Sequence, residues 1–69
     1  MKTTILGHTV EYEDNARPGI IYLTQRLGPQ EAKVFFDQAY SKGVAYFEDQ
    51  MGYDYKLEHS GAEYKLIKI

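Results

Sequence analysis

The chain has no cysteine and no tryptophan, its only histidines are His8 and His59, and its only prolines are Pro18 and Pro29. Without cysteine there is no disulfide to staple a short chain, no thiolate nucleophile and no sulfur ligand for zinc. Two histidines far apart in sequence, with no H-x-x-x-H spacing, supply no metal motif. No run approaches the roughly 18 apolar residues of a membrane span, and no basic segment followed by an apolar one marks a leader. The expectation is a soluble cytoplasmic protein with no membrane partner. Met1-Lys2-Thr3-Thr4-Ile5-Leu6 starts directly in strand-like sequence, which reads as the beginning of a complete gene product.

A basic excess is also missing. Ten acidic side chains face eight basic ones, a net charge of −2, whereas binding to the phosphate backbone is driven by clustered Lys and Arg. Nucleic acid is therefore not the expected partner. Glycine occurs singly at 7, 19, 28, 43, 52 and 61. None of these opens a G-x-G or G-x-x-x-x-G-K phosphate cradle, so no cofactor is expected. His59 and Ser60 are neighbours on a strand pattern and point to opposite faces, which is the wrong arrangement for a nucleophile and its base. Glu48, Asp49 and Asp54 flank what reads as an exposed turn, a place for solvated carboxylates rather than an acid/base pair. The chain is not expected to be an enzyme.

What is present organises around residues 28–43. Pro29 suits the first position of a helix, Gly28 its N-cap and Gly43 a left-handed residue past its end. At about 100° per residue, Ala32, Phe35, Phe36, Ala39 and Tyr40 share one face. Val34 points away from that stripe. Upstream, Thr3 to Leu6 and Thr9 to Glu13 read as a hairpin whose two-residue turn, Gly7-His8, suits type II′ geometry. Asp14-Asn15-Ala16-Arg17-Pro18-Gly19 collects turn formers and reads as a loop.

Ile20 to Leu27 is ambiguous. As a strand it carries β-branched and aromatic residues early and places Ile21, Leu23, Gln25 and Leu27 on one side. As a helix it puts Ile20, Leu23 and Leu27 on one face. Strand is the favoured reading, because Ile-Ile-Tyr-Leu-Thr suits a pleated surface. Downstream come three strands. Val44 to Asp49 is followed by the turn Gln50-Met51-Gly52, with Gly52 left-handed. Tyr53 to His59 alternates cleanly, with Tyr53, Tyr55, Leu57 and His59 on one side and Asp54, Lys56 and Glu58 on the other. After a turn at Ser60-Gly61, Ala62 to Ile69 sets Tyr64 and Leu66 against Ile67 and Ile69.

The sum is one α+β domain spanning residues 1–69. A single helix, about 29–42, packs on an antiparallel sheet in the order β-β-(β)-α-β-β-β. A chain of this size buries only about 60% of its unfolded surface. With neither disulfide nor metal, its ten aromatic residues or association with a second copy must supply what remains. Seven of those ten are tyrosines. One helix cannot roof a sheet of that width, so tyrosine-bearing surface is expected to stay open.

Tyr offers a broad apolar face and a water-tolerant hydroxyl, which suits interfaces. The expected partner-binding residues are therefore Tyr46, Tyr53, Tyr55 and Tyr64. With them go the carboxylates Glu11, Glu13, Asp14, Glu48, Asp49 and Asp54, as an acidic complement to a basic partner. The functional expectation is a non-catalytic protein-binding module, such as a small acidic inhibitor or regulator of a larger nucleic-acid-handling protein, in the manner of phage-type antagonists. The alternatives are single-stranded nucleic-acid binding on the sheet tyrosines, for which Lys56 and Lys65 are interleaved with Glu58 and Glu63, and simple homodimerisation.

Overall fold

Leu6 and Gly7 both have positive φ, 52° and 81°, the signature of a type I′ turn. They join strands Lys2–Ile5 (β1) and His8–Tyr12 (β2) in the computed structural model, which describes residues 1–69. The turn thus lies one residue earlier than the sequence suggests. In this register Ile5 pairs with His8, and His8 becomes an inward strand residue. Its ring lies 4.9 Å from Phe36 and 5.0 Å from Tyr64.

The region read as loop and strand is helical instead. Asp14–Ala16 form a 3-10 turn and Arg17–Ile21 an α-helix (α1), prolonged by a π-helical turn over Tyr22–Arg26. There the Leu27 N–H donates to the Tyr22 carbonyl at 3.0 Å, while the Thr24 hydroxyl donates to the Ile20 carbonyl at 2.9 Å. Three things override the β preference of Ile-Ile-Tyr-Leu-Thr, which is worth no more than about 1 kcal/mol a residue and depends strongly on context. Pro18 sits in the first turn, where its missing N–H costs nothing. Ile20 and Leu23 are buried and Leu27 packs against the core. Gly19 brings the backbone so close to the sheet that a Cβ there would lie 2.8 Å from Tyr55 Cε1 and 3.0 Å from Leu66 Cδ2.

The second helix, Pro29–Lys42 (α2), follows the sequence reading. Gly28 is its N-cap, and Gly43 ends it at φ 89°. At its start the Gly28 N–H donates to Glu31 Oε1 at 3.0 Å, the one side-chain half of a capping box that a glycine cap permits. Ala32, Phe36 and Ala39 are buried. Tyr40 departs from the expected stripe: it is 70% exposed, and its ring lies 5.0 Å from that of His59.

Strands Val44–Glu48 (β3), Asp54–Ser60 (β4) and Glu63–Lys68 (β5) form an antiparallel meander. Gly52 (φ 86°) and Gly61 (φ 61°) supply the left-handed residues of its two turns. The five strands run in the order β1-β2-β5-β4-β3. β2 and β5 pair in parallel, Val10 opposite Tyr64 and Tyr12 opposite Leu66. The sheet is therefore mixed rather than purely antiparallel, and two helices replace the single helix and optional strand of the sequence reading.

Both helices lie on one face. Ile5, Val10, Tyr64, Leu66, Leu57, Tyr55, Ala45 and Phe47 point to them, and with Ile20, Leu23, Ala32, Phe36 and Ala39 they form one core. At about 25 cal/mol per Å² this burial is the main stabilising term.

Candidate functional site

The sheet's other face has no helix over it. Strand alternation places Lys2, Thr4, Thr9, Glu11, Val44, Tyr46, Glu48, Asp54, Lys56, Glu58, Glu63, Lys65 and Ile67 there, none of them buried. A row of register partners crosses it with alternating sign. Lys2 faces Glu11, Glu11 faces Lys65, and Lys65 faces Glu58. Opposite charges side by side on a sheet are mutually stabilising by about 0.2–1 kcal/mol a pair. Lys2 reaches diagonally to Glu63 at 3.4 Å, and Lys56 to Glu58 at 3.3 Å. Glu11 thus stands between two lysines in register and does not belong to a one-sign patch.

The β3 end of the face is different. Glu48 and Asp54 are direct cross-strand partners, two like charges at a position where β-sheet pairing makes them repel. The next residue pair, Asp49 and Tyr53, is hydrogen-bonded, Asp49 N–H to Tyr53 carbonyl at 2.9 Å. Glu48 and Asp54 therefore form a non-hydrogen-bonded pair, in which side chains come closest. Beside them lie Tyr46, 63% exposed, and Ile69, 66% exposed. Ile69 is held there by its N–H, which donates to the Asp54 carbonyl at 2.9 Å. Tyr46, Glu48, Asp54 and Ile69 line one shallow hollow on this corner, floored by Phe47 and Tyr55.

The tyrosines expected to bind together divide between core and surface. Tyr55 and Tyr64 are core residues, a correction that follows from alternation: Tyr55 and Leu57 share a side, and that side is the one the helices cover. Tyr64 packs edge-on to Phe36 with ring centroids 5.0 Å apart. Burial pushes its hydroxyl pKa up, with the charge of Asp37 and the neighbouring Tyr40 adding to the shift. Tyr53 is half-exposed under a cation, with Lys68 Nζ 4.1 Å from its ring centroid. Only Tyr46 remains as an open ring on the sheet face, one stacking platform for a base rather than a row of them.

The carboxylates divide as well. Asp49 is buried, not presented. Its Oδ1 accepts from the N–H groups of Met51 at 2.9 Å and Tyr53 at 3.0 Å, and its Oδ2 accepts from Tyr55 Oη at 2.9 Å. Burial on its own disfavours the charge. The donors from Tyr53, Tyr55, Met51 and Gly52 outweigh it and hold the Asp49 carboxyl below the usual aspartate value. Asp14 is engaged by Arg17 at 2.8 Å from Nη2 and 3.1 Å from Nε. Glu13 is exposed just past the end of β2, near Lys65 and Ile67 and away from the β3 corner. Glu48 and Asp54 are the two that the structure brings together.

Sequence reading missed Ile67, Ile69 and Val44 as surface groups. The signal was present: Ile67 and Ile69 fall opposite Tyr64 and Leu66 by simple alternation, so burying one pair exposes the other. No group of three or more His, Asp or Glu side chains is arranged to hold a metal ion, and no helix is long and apolar enough to cross a membrane. Comparison with protein-family models, with curated proteins and with solved structures finds no match for this chain.

Proposed function

We propose that this is a non-catalytic protein-binding module that docks its partner on the β3 corner of the open sheet face. The observation that carries the reading is the juxtaposition of the like-charged pair Glu48 and Asp54 with the exposed Tyr46 and Ile69. Two repelling carboxylates cost stability unless a cation is brought to them, and an aromatic beside an aliphatic side chain offers apolar area around that cation. This combination suits a Lys- or Arg-bearing segment of another protein. A basic site on a nucleic-acid-handling protein has that chemistry, and occupying it would make this chain an inhibitor or regulator.

The test is capture from lysate with the immobilised protein, followed by mass spectrometry, run in parallel with Tyr46→Ala and Asp54→Lys. A protein enriched by the parent chain and lost with both variants supports the reading. Identical recoveries from all three baits, or recovery of the bare chain alone, sink it. Titration of the isotopically labelled chain with a Lys/Arg-rich peptide gives an independent readout. Shifts concentrated at Tyr46, Glu48, Asp54 and Ile69 are expected, and diffuse small shifts over the whole sheet count against the site.

A further inference from the structure

The geometry points to a second function for β3, beyond the docking face: its free edge pairs, antiparallel and about a two-fold axis at Tyr46, with the same edge of a second copy of this chain. The backbone shows which groups are available. Asp49 N–H bonds the Tyr53 carbonyl at one end of the β3–β4 ladder, and His59 N–H bonds the Gly43 carbonyl at 3.0 Å at the other. Hydrogen-bonded pairs alternate along an antiparallel ladder. Ala45 and Phe47 therefore spend their N–H and C=O on β4, while Val44, Tyr46 and Glu48 aim theirs away from the sheet.

Edge strands are normally blunted by Lys, Pro, a bulge or extreme shortness. The opposite edge, β1, has four residues, and its Lys2 is already held by Glu63. β3 has five residues, Val-Ala-Tyr-Phe-Glu, with no Lys, Pro or Gly among them. Overlapping two such strands about Tyr46 places Val44 opposite the second copy's Glu48 and Tyr46 opposite itself. All three outward residues of each strand then find partners.

Charge selects this arrangement. The uncharged stretch of β3 is bounded by Lys42 at its start and Glu48 at its end, both exposed, and neither makes an ion pair within its own chain. Antiparallel self-pairing brings the Lys42 end of each copy to the Glu48 end of the other, twice per dimer. A parallel arrangement would set like against like. The pairing is isologous and closes after two copies. Its area is well below the roughly 800 Å² per partner of a standard interface, so the dimer is weak and concentration-dependent.

Sedimentation equilibrium of the intact chain over a dilution series reaching about 1 mM, the scale of weak association, should give a monomer–dimer equilibrium. Amide exchange at Val44, Tyr46 and Glu48 should slow as concentration rises. Tyr46→Pro removes the N–H on the axis, a group that β4 does not use, and should weaken association at least tenfold with an unchanged circular dichroism spectrum. Lys42→Glu and Glu48→Lys should each weaken it by a similar factor, and the double charge swap should restore it. A chain that stays monomeric to the top of the series overturns the proposal. So do larger open assemblies, unprotected edge amides, or a double swap no better than its singles. Ile69→Ala trims the docking hollow without touching β3, so loss of the partner in that variant with self-association intact separates this inference from the docking reading.

Discussion

Tyr55 Oη donates to Asp49 Oδ2 across 2.9 Å, six residues back along the β3–β4 hairpin, and both side chains are buried. The same carboxylate fastens the hairpin loop through the N–H groups of Met51 and Tyr53. An acid that looks like surface in the sequence therefore joins the turn to the core.

Removing either partner should be costly and should change the response to pH. Asp49→Ala leaves a buried hydroxyl and two N–H groups without their acceptor, and Tyr55→Phe leaves Oδ2 short of one donor. Losses of about 1–3 kcal/mol are expected, larger for Asp49→Ala, from urea unfolding at neutral pH. The folded Asp49 carboxyl lies below its unfolded value, so its contribution is present above the ordinary aspartate range and disappears as pH falls through the folded pKa. Acid unfolding of Asp49→Ala should accordingly be less steep than that of the parent.

The alkaline limb has the opposite sign. Burial, then the hydrogen bond and charge of Asp49, push the Tyr55 hydroxyl from 10.0 up to about 12. Between those values the unfolded chain loses this proton and the folded chain keeps it, so stability falls as pH rises through that window. Tyr55→Phe should flatten the decline. An unchanged alkaline slope in that variant would show that Tyr55 is not its source.

Gly19→Ala should destabilise, although alanine is the better helix former by about 1 kcal/mol. The added Cβ would stand 2.8 Å and 2.9 Å from two ring carbons of Tyr55, a side chain with no exposed surface and no room to withdraw. Overpacking of this kind costs about 1–3 kcal/mol. A variant that melts at or above the parent temperature would mean that the helix can lift away from the sheet without loss.

Leu6 offers a gain. Its φ of 52° is strained for an L-residue by about 1–2 kcal/mol. Asn tolerates that conformation, and Asn-Gly is the preferred type I′ pair. Leu6→Asn should raise stability by about 0.5–1 kcal/mol by urea titration, after subtracting the half-exposed leucine's lost packing. A drop would indicate that the leucine's packing is worth more than the strain its φ stores in the turn.

Helix α2 and the β3-β4-β5 meander were legible because their signals are local. Pro29 and Gly43 mark the helix ends, Gly52 marks a turn, and Tyr55, Lys56, Leu57 and Glu58 alternate. Ile20 to Leu27 misled because its residue types favour strands, while what decides it is tertiary: the fit of Gly19 over Tyr55 and Leu66, and the burial of Ile20 and Leu23. The parallel match of β2 to β5 has no local signature at all. Within the candidate site, alternation alone assigns Tyr55 to the core and Ile67 and Ile69 to the outside. The meeting of Glu48 with Asp54 needs the hairpin register, and the fate of Asp49 needs the loop's N–H groups in place.

The parallel ladder sets the tempo of folding. Val10 must find Tyr64 across more than fifty intervening residues, at a loop-closure cost in entropy that each hairpin, zipping from its own turn, avoids. The expected slow step is therefore the arrival of the N-terminal hairpin at a meander already made. Substitutions at Val10 or Tyr64 should retard refolding, while those at Leu6 leave the rate of that encounter alone.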